Sequence, residues 1–391
     1  MQAELDRILA DAVASGAVAH AAAIVTDGAA VRYQGQAGPR ALGDPRPLQA
    51  DTIYWIHSMT KPLAAAGVMQ LVEEGRICLD DDCGGLLPAL RSPKVLEGFD
   101  AAGQPKLRPA KGRITLRRLL THTAGFVYDM WNAEQRDWLK QSGIRRGDYY
   151  DRIENCPPLG ADPGQRWEYG VSIDWAGKVL EAVTGQTLCA YLDANVLGPL
   201  GMASTGFVLT PDLKARLAGV HQRDAAGRIA AVAFDPPIDQ PAASFTGGGG
   251  MFGSPADYAR FMRMILNDGA LDGVRVLKPE TVQAMAANQI GDIPVTGLPT
   301  AMPAMTFAFD FFPGIEKRWG LSYMINQTDI PGMRRAGSLA WAGLRNTYFW
   351  IDRTSGVAGA FFTQMLPFAD PETLAVYEAF ERAVYAARQR A

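Results

Sequence analysis

Thr52-Ile53-Tyr54-Trp55-Ile56-His57-Ser58-Met59-Thr60-Lys61 runs from a mostly apolar segment into a serine that has a lysine three positions on. Pro62-Leu63-Ala64-Ala65-Ala66 follow, and no further charge appears until Glu73. Leu63, Val68, Leu71 and Val72 recur at helical spacing, and Gly75 supplies a stop, so a helix is predicted over 58–75. A lysine on the surface normally has polar company on its turn; Lys61 has none, which predicts that it is partly buried.

Residues three apart on a helix share a face, so the Lys61 amine can reach the Ser58 hydroxyl. At a helix start, free N–H groups and the macrodipole favour developing negative charge. A serine needs an adjacent base to become a nucleophile, and a lysine serves if burial or nearby cations lower its pKa. With 11 serines and 9 lysines in 391 residues, roughly 0.25 such pairs arise by chance. Ser58 carries the only one. The same residues also suit an N-cap serine followed by a solvated lysine.

The chain is long enough for one large domain or two intimate ones. Hydrophobic residues make up 48%, charged residues 20%, and the net charge is −3 without a run of five or more like charges. That balance argues against nucleic acid or an anionic membrane as a partner. Glu4, Asp6 and Asp11 interrupt the first twenty residues, which read as an amphipathic helix rather than a secretory signal. Cys78, Cys83, Cys156 and Cys189 form no CxxC pair and are too few for a disulfide framework; a reducing, cytoplasmic setting is expected.

Apolar segments 21–25 and 30–35 flank Asp27-Gly28 and predict a hairpin. Helical patterns dominate from there to about 270, clearest at 116–121, 173–184, 187–196 and 255–267. Strands return at 334–339, 346–351 and 357–364, and a helix is expected over 371–388. Strands at both ends with helices between them predict an α/β fold whose sheet is closed by the two ends of the chain.

Five co-linear motifs then carry a resemblance: Ser58-Met-Thr-Lys61, Leu119-Leu-Thr-His-Thr-Ala-Gly125, Tyr169-Gly-Val171, Gly247-Gly-Gly-Gly-Met-Phe-Gly-Ser254 and Trp341-Ala-Gly343. In order and spacing the chain resembles the serine β-lactamases and penicillin-binding proteins, and within them the class C-like, family VIII carboxylesterases. The resemblance spans nearly the whole chain. It implies a β-lactamase/transpeptidase-like α/β (α+β) fold, with an antiparallel sheet flanked by helices plus a mostly helical domain. The α/β part would comprise 1–75 and 245–391, and the helical part 76–244.

The resemblance further implies that Ser58 is the acyl-accepting nucleophile, Lys61 its base, and Tyr169 a partner base with its pKa lowered by Lys61. The backbone N–H groups of Ser58 and Leu344 would form an oxyanion hole. Ala342 and Gly343 would let an edge strand approach the substrate. Trp341 stands where β-lactamases have a lysine, and Val171 where they have an asparagine. Both departures remove β-lactam recognition and point to a small neutral ester, with no cofactor and no metal. A β-lactamase, a D-aminopeptidase or an acyltransferase of the same fold are the alternatives, and oligomeric state is left open.

Other residues carry less. His122 lies in an apolar turn, and His20, His57 and His221 have no metal-ligand spacing. No serine lies in Gly-x-Ser-x-Gly, and glycines 247–250 lack the Lys-Ser/Thr of a phosphate loop. Trp131, Trp138, Tyr149, Tyr150, Phe309, Phe311 and Phe312 are candidates for an apolar pocket. The irregular stretch 291–314, with Met302, Met305 and Phe307, is expected to add a wall to it.

Overall fold

Seven antiparallel strands form the main sheet, and its two halves come from opposite ends of the sequence. The computed structural model describes residues 1–144, 156–238 and 245–390. Across the sheet the order is Lys317–Trp319, Met324–Asn326, Leu339–Gly343, Thr347–Asp352, Val357–Phe362, Ala21–Asp27 and Val31–Ala37. Ala22 pairs with Phe362 and Asp27 with Val357, which joins the first hairpin to the last strands. The fold is therefore a mixed α/β one, an antiparallel sheet flanked by helices, as the resemblance implies.

Alternation along Thr347–Asp352 explains why both faces are covered. Tyr348 and Trp350 meet Tyr377 of the helix Pro371–Gln389, while Phe349 meets Tyr258 of the helix Pro255–Leu266. Successive strand side chains point to opposite faces, so a strand buried on both sides reads as a continuous apolar run. The helix Thr60–Glu73 is buried over most of its length and packs against Ser172–Thr184. Gly75 follows it at φ +67°, the left-handed stop its position predicts.

The stretch between the two halves of the sheet holds more than helices. Hairpins Lys94–Phe99 with Pro105–Pro109, and Val220–Arg223 with Ile229–Val232, break the expected pattern. Both turn through Asp-Ala-Ala-Gly. The carboxylate of Asp100 accepts from the N–H groups of Ala102 and Gln104, and Asp224 does the same for Ala226 and Arg228. Gly103 and Gly227 then take positive φ. Alanine between the turn residues reads as helix former, which hid both turns.

The strand expected at 334–339 instead occupies Leu339–Gly343. Arg334 is buried against Glu381 and Tyr377 and ties that approach segment to the C-terminal helix. The four cysteines are free. No helix among the described residues is long and apolar enough to cross a membrane.

Candidate active site

Ser58 sits in a single 3-10 turn, His57–Met59, that leads directly into the helix Thr60–Glu73. His57 holds φ +45°, a left-handed backbone that costs energy in a residue other than glycine and is retained at functional turns. Its ring stacks on Trp55 at 4.3 Å, and its Nε2 is buried without a partner. Burial, helped by the charges of Arg345 and Lys61, pushes the imidazole well below its ordinary pKa.

Lys61 is fully buried. Its Nζ donates to Ser58 Oγ at 3.0 Å, to the Tyr128 hydroxyl at 3.1 Å and to the Gly248 carbonyl at 2.6 Å. An ammonium stripped of water loses much of its solvation, and burial pulls the Lys61 pKa down to about 7, against an opposing pull from the Asp174 charge. A lysine so placed exchanges protons near neutral pH and touches the serine hydroxyl.

Tyr169 is also buried beside this pair, and its hydroxyl meets Lys61 by way of Ser58. The amine lies over the Tyr169 ring, 4.8 Å from its centre, while the phenol oxygen accepts from Trp341 Nε1 at 2.8 Å and contacts Ser58. Burial pushes the phenol pKa up, and the hydrogen bonds from Ser58 and Trp341 only partly oppose this. Tyr169 is thus a neutral phenol at the serine. The hydroxyl that Lys61 does hold is that of Tyr128, which the sequence reading missed. Tyr128 lies three residues beyond the segment ending at Gly125, and that adjacency was the available signal. Its backbone N–H donates to the Tyr169 carbonyl at 3.1 Å, which sets the two phenols side by side.

Gly343 and Leu344 arrive from the sheet. On the neighbouring strand Leu339–Gly343, Met324–Asn326 reaches only Leu339 and Ala340, which leaves one edge free from Trp341 to Gly343. The expected edge is therefore local, on a strand that is otherwise interior. A Cβ on Gly343 would collide with the Ile56 carbonyl, so glycine lets the end of this strand lie against the residue that leads into the turn holding Ser58. Val171 is buried at the start of Ser172–Thr184.

The loop Gly247–Gly250 closes the back of the Lys61 pocket. A Cβ on Gly248 would strike the Asp174 carboxylate, and one on Gly247 the Ile173 carbonyl. The glycines are thus close-approach positions as well as a turn. His122 packs its ring 4.7 Å from that of Tyr169 and accepts from the Gly170 N–H at 3.4 Å, which makes it a support for the tyrosine.

Next to the two phenols lies a cavity of about 320 Å³, walled by Tyr128, Trp131, Trp167, Tyr169, Ile293 and Leu298. It is of a size for a small organic ligand. Arg166 and Glu168 pair with one another on its lining. Of the aromatic candidates, Trp131 lines this space, whereas Phe309 and Phe311 line a small cleft with Trp341, and Phe312 and Trp138 pack on the core. Tyr149 and Tyr150 lie outside the described residues. The wall expected from Met302, Met305 and Phe307 comes from 293–299 instead: Met302 packs on the core and Phe307 faces solvent. Among the described residues, no group of three or more His, Cys, Asp or Glu side chains is placed to hold a metal.

The family model described as Beta-lactamase matches residues 5–383. The chain is 34% identical over 356 residues to a protein named monacolin J acid methylbutanoyltransferase from Aspergillus terreus, with 88% of this chain and 84% of the relative covered. It is 29% identical to a lovastatin esterase from Penicillium rubens, covering 90% of each. The unliganded simvastatin synthase of Aspergillus terreus superposes with a TM-score of 0.83 at 30% identity, covering 99% of this chain and 98% of that one.

Proposed function

Because this chain belongs to the β-lactamase family, we propose that it is a serine esterase that carries short acyl groups on Ser58. The observation that carries this reading is the buried Lys61 amine, hydrogen-bonded to Ser58 Oγ at 3.0 Å. Neutral Lys61 takes the hydroxyl proton as Ser58 Oγ bonds to the ester carbonyl carbon. The resulting oxyanion accepts from the backbone N–H groups of Ser58 and Leu344. The carbonyl re-forms, the alcohol leaves with a proton returned from Lys61 through the Tyr128 or Tyr169 hydroxyl, and an acyl-Ser58 remains. Water enters by the reverse path and releases the acid. No cofactor is needed.

Trp341, buried against Tyr169, offers an indole where a charge-binding lysine would orient a β-lactam. A missing directed charge contact or hydrogen bond costs about 2–3 kcal/mol, which favours neutral esters. The four free thiols support a reducing, cytoplasmic setting.

A second reading is supported by the relative named as an acyltransferase and by the cavity of about 320 Å³ beside the phenols. There an alcohol other than water would intercept the acyl group. The test is p-nitrophenyl butyrate turnover with increasing amounts of an apolar alcohol, with chromatographic separation of free acid from new ester. Acid as the main product supports the esterase; ester dominating at millimolar alcohol supports the transferase. Nitrocefin turnover comparable to that of the ester would sink both in favour of a β-lactamase.

A further inference from the structure

Across Gly248 from the amine stands a carboxylate that the mechanism above does not use. Asp174 is the third residue of the helix Ser172–Thr184 and is 6% exposed. Its Oδ1 accepts from the Gly248 N–H at 2.9 Å, and the carbonyl of the same Gly248 accepts from Lys61 Nζ at 2.6 Å. One residue thus presents a donor to the acid and an acceptor to the base, on two successive peptide groups. The residue is held to glycine because a side chain would occupy the space of the carboxylate. No Arg, Lys or His among the described residues forms an ion pair with Asp174 within 4.0 Å, so its buried charge has no direct salt bridge.

We propose that Asp174 is a positioning residue for Lys61, fixing Gly248 whose carbonyl holds the amine and supporting the ammonium by its charge, so that the buried amine both takes a proton from Ser58 and gives it back. The inference rests on Lys61 being the base. The carboxylate fixes residue 248 through its N–H and so fixes the carbonyl that accepts from the amine, while the Asp174 charge itself favours the ammonium through space. The other titratable groups around Lys61 are Tyr128, Tyr169, His57 and His122. Burial, with the Lys61 charge adding, keeps both imidazoles neutral, and burial raises the Tyr169 phenol. The carboxylate acting on Lys61 is that of Asp174, and it supports the ammonium form against the cost of burial. Burial in turn raises the Asp174 pKa, which Lys61, Gly248 and Thr246 oppose. Without the carboxylate, the amine would still accept a proton but would hold it too weakly to store it between the two half-reactions.

The experiment reads Lys61 directly by NMR of lysine labelled at Cε and Nζ, with Lys61→Arg assigning its signal among the nine lysines. In Asp174→Asn the Lys61 midpoint is expected to fall by about one pH unit or more, and in Asp174→Glu to stay within about half a unit of wild type. An unmoved or raised midpoint in a folded Asp174→Asn protein overturns the proposal. Should that variant fail to fold, the wild-type curve still decides. Two inflections in the Lys61 signal, one for each partner, are expected, and a single inflection overturns it. The acid limb of kcat/KM for p-nitrophenyl acetate should move with the NMR midpoint. If the midpoint moves while wild type itself turns over no ester, the esterase reading fails and the link between Asp174 and Lys61 stands.

Discussion

The indole Nε1 of Trp341 donates to the hydroxyl oxygen of Tyr169 at 2.8 Å, tying the sheet to the segment that carries the second phenol. The same oxygen contacts Ser58, so the indole fixes where the phenol stands relative to the nucleophile. Trp341→Phe keeps the ring and deletes the donor. Loss of one such bond is worth about 0.5–1.5 kcal/mol, so kcat for p-nitrophenyl butyrate is expected to fall about 3–10-fold with little change in KM. An unchanged kcat would reduce Trp341 to a packing role.

Ser58→Ala should leave the fold intact, by circular dichroism and melting temperature, and remove ester turnover to below about 1% of wild type, since loss of a covalent nucleophile costs many orders of magnitude. Mass spectrometry after a fluorophosphonate probe should show one adduct on wild type, in the Ser58 peptide, and none on the variant. An adduct elsewhere with activity retained would point to a different nucleophile.

The pH dependence follows from which form of Lys61 is active. Only the neutral amine accepts the Ser58 proton, and its pKa is drawn down to about 7. The kcat/KM is therefore expected to rise with pH by about tenfold per unit below that value and to level off above it. Lys61→Ala should lower kcat by about 10²-fold or more. A profile that falls through neutrality would contradict Lys61 as base.

Tyr128→Phe removes the hydroxyl that Lys61 holds at 3.1 Å, and Tyr169→Phe removes the one at Ser58. If both serve one proton path, the double variant loses less than the product of the single losses. Strictly multiplicative losses in kcat would mean that the two phenols work separately.

Gly170 lies so close to the Phe126 carbonyl that a Cβ there would overlap backbone atoms, which cannot swing aside. Gly170→Ala is expected to cost about 1–3 kcal/mol or more and to separate the two phenols. Thermal melting and kcat should fall together. A stable protein with full activity would show that this contact is soft.

What the sequence disclosed depends on how local the cause is. Ser58 and Lys61 share one turn of helix, so spacing alone brought them together, and the apolar run after Lys61 disclosed its burial. The hairpin at Asp27-Gly28 was legible because its turn signal lies within two residues. Tyr128 was harder to read: its nearness to the segment ending at Gly125 does not say what it faces, and its place opposite Lys61 is set by the backbone bond to Tyr169 across 41 positions. Asp174 in a first helical turn reads as a dipole partner, and only the close approach of Gly248 gives it another part. The four glycines were read as a turn because their lack of side chains matters only against residues far away in sequence.

The pairing of Ala22 with Phe362 bears on how the protein is made. A ribosome emits Ser58 and Lys61 long before the strand Val357–Phe362 that pairs with the first hairpin. Contacts this distant along the chain form slowly, since a long loop must close before they repay its entropy. The sheet behind the activated serine is therefore completed only after the chain has passed Phe362, and until then the first hairpin waits without its partner strand.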